Sequence, residues 1–249
     1  MKQGKPASAA GAAGIPLTFA LGVASFGCLL MIVLRVAVTG SIRHAFLLWN
    51  LFLAWIPYGL ALAVRRITAG EGFNSAAGSR AVAMKALAVM LALVWLFFYP
   101  NAPYILTDFI HVVRTPPLPV EPGHFLITEN ALLWYDIILN STFAFIGHMI
   151  GLISLLILHR TIRRRYNPRW GWAFAVIAIG LGGYGIYLGR FERLNSWDIV
   201  REPVRTLRTA LVSLFNLKAA LVSLCFALFI FLTYLAVASL YEAARRDQA

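Results

Sequence analysis

Apolar residues in this chain fall into long, nearly unbroken runs. The first covers residues 15–34, about the 20 positions that a helix needs to cross a hydrocarbon core. Further runs cover residues 45–64, 81–99, 131–158, 170–188 and 217–240. Six runs of this length predict an all-α, polytopic membrane protein with six transmembrane helices, since a helix satisfies its own backbone in lipid. Two shorter stretches depart from the pattern. Residues 104–113 are apolar but too few to span, which predicts a re-entrant or interfacial segment after the third span. Residues 201–215 place Val204, Leu207, Leu211 and Leu214 on one helical face and Arg201, Arg205 and Arg208 on another. That pattern predicts an interfacial amphipathic helix before the sixth span.

Punctuation divides the chain further. Residues 1–14 read as a flexible N-terminal tail, 15–241 as a single six-helix transmembrane domain, and 242–249 as a C-terminal tail. The first run is long enough to span and is followed by Arg35 rather than a cleavage site, so it predicts an uncleaved anchor. Pro57 is expected to kink the second span. Gly, Ser and Ala mark a loop at 68–79, and Pro116, Pro117, Pro119 and Pro122 mark another at 115–128. Gly185 and Gly189, near the end of the fifth span, fit close helix packing better than a nucleotide loop, because no strand precedes them.

Composition supports the membrane class: 60% of the 249 residues are hydrophobic and 13% charged, with a mean hydropathy of +0.76. The net charge of +12 points to no nucleic-acid partner. The basic residues flank the apolar runs, where topology signals and contacts with anionic lipid headgroups put them. Cys28 and Cys225 lie inside apolar runs and read as small buried residues. No cofactor is predicted, since the chain has no P-loop and no dinucleotide loop in its proper context.

With six spans both termini share a side. That side carries 13 Lys and Arg, against 9 on the other. The positive-inside rule then places both termini in the cytoplasm. The basic stretch 190–218 falls outside, so its arginines need carboxylates or lipid phosphates near them.

This topology gathers polar residues near the outer face. Asp136 lies about two turns into the fourth span, where a carboxylate is costly without a partner; Arg190 is the expected one. Arg190 and Arg193, followed by Asp198, would suit an anionic headgroup through bidentate contacts. Asn50 is expected to make an interhelical hydrogen bond. Asn101, between Pro100 and Pro103, either satisfies loose backbone or orients a ligand. Tyr104, Asp108 and Asn195 sit at the same level. Asp108, His111, His124 and Glu129 form a sparse ligand set without tight His spacing, and no metal site is predicted from them. His44, His148 and His159 carry no pattern and read as packing or interfacial residues.

Four motifs carry a resemblance: Trp49-Asn50-Leu51-Phe52-Leu53-Ala54-Trp55-Ile56-Pro57, Pro100-Asn101-Ala102-Pro103-Tyr104-Ile105-Leu106-Thr107-Asp108, Trp134-Tyr135-Asp136, and Gly189-Arg190-Phe191-Glu192-Arg193-Leu194-Asn195-Ser196-Trp197-Asp198. They resemble the bacterial membrane family known as domain of unknown function 1361. The resemblance runs from the second span to Asp198 and extends toward the last span. It implies a single domain in a bacterial inner membrane and carries over no activity.

Three functions stay open on the sequence. One is an outer-face site that binds or transports a small or lipid-like anionic ligand. Another is an enzyme of envelope lipid or glycan, with Asp108 or Asp136 as general base. The third is a structural partner of another membrane protein.

Overall fold

The computed structural model describes residues 16–70, 73, 78–114 and 129–247. The tail 1–14, the loop 115–128 and His124 lie outside the described residues, as does the side chain of Glu129. Every regular element among the described residues is a helix. In chain order these are α1 (Leu17–Thr39), α2 (Phe46–Ala69), α3 (Ser79–Phe98), α4 (Asn101–Tyr104), a 3₁₀ turn (Ile105–Asp108), α5 (Phe109–Arg114), α6 (Glu129–Arg165), α7 (Pro168–Arg190), α8 (Asp198–Arg201), α9 (Pro203–Ser213) and α10 (Leu217–Arg246).

Six of these runs are long and apolar enough to cross a membrane. Their outward faces are apolar: Phe19 and Val33 on α1, Val82 and Val89 on α3, and Leu224 and Leu232 on α10 are all exposed. Water would penalise such a surface and lipid does not. The protein is a multi-pass integral membrane protein.

The spans differ from the apolar runs at their ends. Helix α6 continues through the arginine cluster to Arg165, and α10 continues to Arg246, because neither cluster contains a helix breaker. Helix α2 runs uninterrupted through the buried Pro57. The amphipathic stretch is two helices, broken at Glu202. Pro203 removes a donor and pushes the residue before it out of helical geometry; Glu202 has φ −136° and ψ 63°. Cys28 is buried as expected, whereas Cys225 is exposed on the outside of α10.

Helix α6 is the hub. It touches α1, α2, α7 and α10, and also α4, the 3₁₀ turn and α5. One core lies between α1, α2 and α6, the other between α2, α3, α6, α7 and α10.

Residues 99–114 follow α3 with only Tyr99 and Pro100 between the helices, and Ser79–Val113 forms one candidate span. Pro100 and Pro103 lack the N–H groups that would continue α3, so the backbone tightens into short turns. Glycines hold these turns in place. A Cβ on Gly151 would sit 2.7 Å from the Ala102 Cβ, and one on Gly147 would sit 2.4 Å from Ile105. On the other side, a Cβ on Gly185 would meet the Pro100 ring at 2.5 Å, and one on Gly189 would meet the Tyr104 ring at 3.0 Å. The turns are clamped between α6 and α7, and that clamp positions the polar residues described next.

Candidate functional site

Three helices turn stripes of one pattern toward a common space at the Arg190 end of the bundle. On α2 the stripe is Phe46, Trp49, Asn50 and Leu53. On α3 it is Leu93, Leu96 and Phe97, extended by Pro100. On α7 it is Leu181, Tyr184, Gly185 and Leu188. Each follows the i, i+3, i+4, i+7 spacing of one helical face. They enclose a cavity of about 750 Å³, within the usual range of ligand pockets.

Its polar end is built from the turns after α3. Asp108 is only 2% exposed. One of its oxygens accepts a hydrogen bond from Asn50 Nδ2 at 2.6 Å. The other lies 3.8 Å from Arg190 Nη1, an ion-pair distance rather than a hydrogen bond. Arg190 Nη2 donates to the Thr107 carbonyl at 2.7 Å, and Nη1 reaches the Tyr104 hydroxyl at 3.4 Å. The guanidinium also lies 5.9 Å from the centre of the Tyr104 ring. One nitrogen of the fork is thus anchored on backbone, while the other points at Asp108 and Tyr104.

The segment after α7 roofs this end. Asn101 Nδ2 donates to the Phe98 carbonyl and to Ser196 Oγ, both at 3.0 Å, tying the turns to the roof. Asp198 Oδ2 accepts from the Asn195 backbone N–H at 2.7 Å and so shapes the roof from outside the cavity. Thr206 of α9 also faces the cavity, and its buried hydroxyl has no hydrogen-bond partner among the described residues. Tyr184 and Glu192 fasten α9 to α7: the Tyr184 hydroxyl donates to the Ala210 carbonyl, and Ser213 Oγ donates to Glu192 at 3.2 Å.

Six of the candidate ligand-binding residues therefore line one cavity: Asn50, Asn101, Tyr104, Asp108, Arg190 and Asn195. Arg193 does not. It is exposed in a left-handed turn (φ 55°) that ends α7.

Asp136 does not pair with Arg190, which corrects the expected partnership. Its partner is Arg35, through Nε–Oδ1 at 2.6 Å and Nη2–Oδ2 at 2.9 Å. The two chain segments share a level, but α1 packs on α6 while α7 turns Arg190 toward residues 104–108. Arg35 had only the look of a charge ending the first run. Its signal was Asp136 itself, a span carboxylate in need of a cation. Thr39 Oγ1 accepts from Arg35 as well, and His44 Nε2 lies 3.9 Å from Asp136. Burial holds the His44 pKa below its ordinary 6.5, against the pull of Asp136.

Among the described residues no three His, Cys, Asp or Glu side chains gather as a metal site. His111 instead lines the cavity and packs on the Phe46 ring at 4.8 Å. Further along α6, His148 and His159 bond to Thr233 and Tyr234 of α10, in keeping with packing roles.

A family model described as "Protein of unknown function (DUF1361)" matches residues 49–234, most of the chain. The protein belongs to DUF1361. The DUF1361 match takes in the polar end of the cavity from Asn50 to Thr206, and leaves Arg35 and His44 before it. No curated protein and no solved structure matches this DUF1361 chain.

Proposed function

We propose that this protein binds an anionic ligand at the outer face of a bacterial inner membrane, with Arg190 as the cation that holds it. Both termini are then cytoplasmic, as the excess of Lys and Arg on their side of the spans favours. The observation that carries the reading is the Arg190–Asp108 pair. A nearly buried carboxylate and a guanidinium stand 3.8 Å apart at the polar end of a cavity, without closing into a hydrogen bond. A structural ion pair would close, as Arg35 and Asp136 do. The open pair leaves Nη1 an N–H beyond its long bond to Tyr104, and a charged donor of this kind suits a carboxylate or phosphate. Asn50 fixes Asp108, Asp108 orients Arg190, and Asn101 with Asn195 supplies polar groups at the roof.

A second reading has a specific observation behind it. Asp108 lines the cavity, and its oxygen toward Arg190 is not the one that Asn50 holds, which suits it to take a proton from a bound hydroxyl. In that case the protein is an enzyme of envelope lipid or glycan, and Asp108→Asn would bind substrate without turning it over.

The test is anion retention by the purified full-length chain in neutral detergent. Native mass spectrometry of wild type should show a retained anionic molecule. Arg190→Gln should lose it while melting within a few degrees of wild type, and Arg190→Lys should hold it more weakly, because an ammonium has no fork. Wild type that retains no anion, or Arg190→Gln that retains as much as wild type, would overturn the proposal.

A further inference from the structure

The cavity has a second, apolar half whose shape bears on what enters it. From Arg190 to Leu181 is nine residues along α7, about 14 Å of helix. Over that length the facing walls are Leu181, Tyr184, Gly185 and Leu188 on α7 and Leu93, Leu96 and Phe97 on α3. The polar group among these side chains, the Tyr184 hydroxyl, is taken up by the Ala210 carbonyl. A small hydrophilic anion would fill only the Arg190 end and leave this half empty.

The apolar half opens sideways. Leu93 is 62% exposed and Leu181 45%, yet both also line the cavity. A residue that faces both cavity and surroundings marks a mouth. Helices α3 and α7 meet through the Trp95 and Phe174 rings, 5.6 Å apart, while Leu93 and Leu181 are exposed, so the mouth lies between two spanning helices, at a depth where the surroundings are hydrocarbon. The other approach, from the water beyond Arg190, is roofed by residues 194–196 and by Thr206. The Asn101–Ser196 hydrogen bond and the Phe98–Trp197 ring contact at 5.7 Å hold that roof down.

We infer that the ligand is a membrane lipid with a phosphate headgroup, taken sideways from the bilayer between α3 and α7. The phosphate lies on Arg190 under the roof, and one apolar chain lies along the Leu93–Phe97 and Leu181–Leu188 walls. This rests on the anion-site reading above and adds the ligand's chain and its route. A phosphate has an oxygen for the N–H that Arg190 keeps beyond its bonds to Thr107 and Tyr104, and further oxygens for neutral donors around it. The hydrocarbon mouth favours a lipid over a soluble phosphate ester. The buried Thr206 hydroxyl is a further donor for the headgroup.

The experiment titrates the full-length chain in maltoside micelles with three probes: dioctanoyl phosphatidic acid, sn-glycerol 3-phosphate and dioctanoylglycerol. Affinity is read by calorimetry and by the rise in melting temperature. Wild type should bind the phosphatidic acid far better than either other probe. Leu181→Trp fills the chain path at a position where surrounding lipid tolerates bulk, and Leu93→Trp does so from the opposite wall. Losing the burial of about two methylenes already weakens binding about tenfold, so each variant should lose at least that for phosphatidic acid. If glycerol phosphate binds as tightly as the lipid, or both tryptophan variants bind like wild type, the chain and its lateral route are wrong and the anion site stands. If dioctanoylglycerol binds as well as phosphatidic acid and Arg190→Gln changes nothing, the anion site itself is wrong and this inference goes with it.

Discussion

Arg35 and Asp136 are charges that lipid cannot solvate where they stand. The Arg35 side chain is 3% exposed and that of Asp136 15%. Their bidentate geometry, with Thr39 and His44 alongside, replaces the hydration both have lost. Removing one member strands the other. Asp136→Asn and Arg35→Met should each lower stability by about 3–5 kcal/mol, while the double variant Arg35→Met/Asp136→Leu should recover much of the loss. Thermal melts in detergent decide it, and a double variant as unstable as either single one would show that the loss does not come from the stranded charge. The need for a cation near Asp136 was legible from a carboxylate inside an apolar run. Its identity was not, because Arg35 and Arg190 are both arginines at the end of a span, at the same level. Arg190 instead meets Asp108, which the turns that follow Pro100 and Pro103 bring beside the last turn of α7.

Glycines decide how close the helices come. A Cβ on Gly183 would stand 2.4 Å from the Ser223 carbonyl oxygen and 2.8 Å from the Ala227 nitrogen, so α7 and α10 meet backbone to backbone. Gly180, three residues earlier, has nothing within 4 Å of the same position. Gly183→Ala should therefore destabilise by about 1–3 kcal/mol, because backbone cannot step aside. Gly180→Ala should leave stability unchanged or raise it by up to about 1 kcal/mol through helix propensity. Equal melting temperatures for the two variants would contradict this packing. The sequence pattern flagged Gly185 and Gly189 as packing glycines, and both press on the turns after α3. It did not show that their partners are Pro100 and the Tyr104 ring, in the turns that follow α3. Spacing names a small face on a helix but not what fills it.

At the scale of the whole molecule, the bundle has two unlike ends. One carries the cavity, the Arg190–Asp108 pair and the α8–α9 roof. The other carries Arg160, Arg163 and Glu242, with Arg160 stacked 4.0 Å over the Tyr241 ring. If the cavity end faces outward, a cysteine at Ser196 should react with a membrane-impermeant maleimide in intact cells, and one at Asp247 only after lysis. The background is a chain with Cys28 and Cys225 replaced by alanine. The reverse pattern would place the cavity on the cytoplasmic side and move the source of its ligand to the inner leaflet.

Run length and charge placement by themselves determined that this is an all-helical protein of six spans, since a bilayer demands about 20 apolar residues per helix and nothing else in the chain competes. They also brought most of the polar wall to one level, because the position of a residue along a span is its depth. Neighbourhood belonged to the tertiary structure. Which arginine meets which carboxylate, that residues 99–108 are clamped between α6 and α7, and that three helical stripes leave a cavity open between α3 and α7 all depend on rotation about helix axes and on close packing at glycines. Depth is one coordinate and is written in the sequence. The other two are set only when the helices pack.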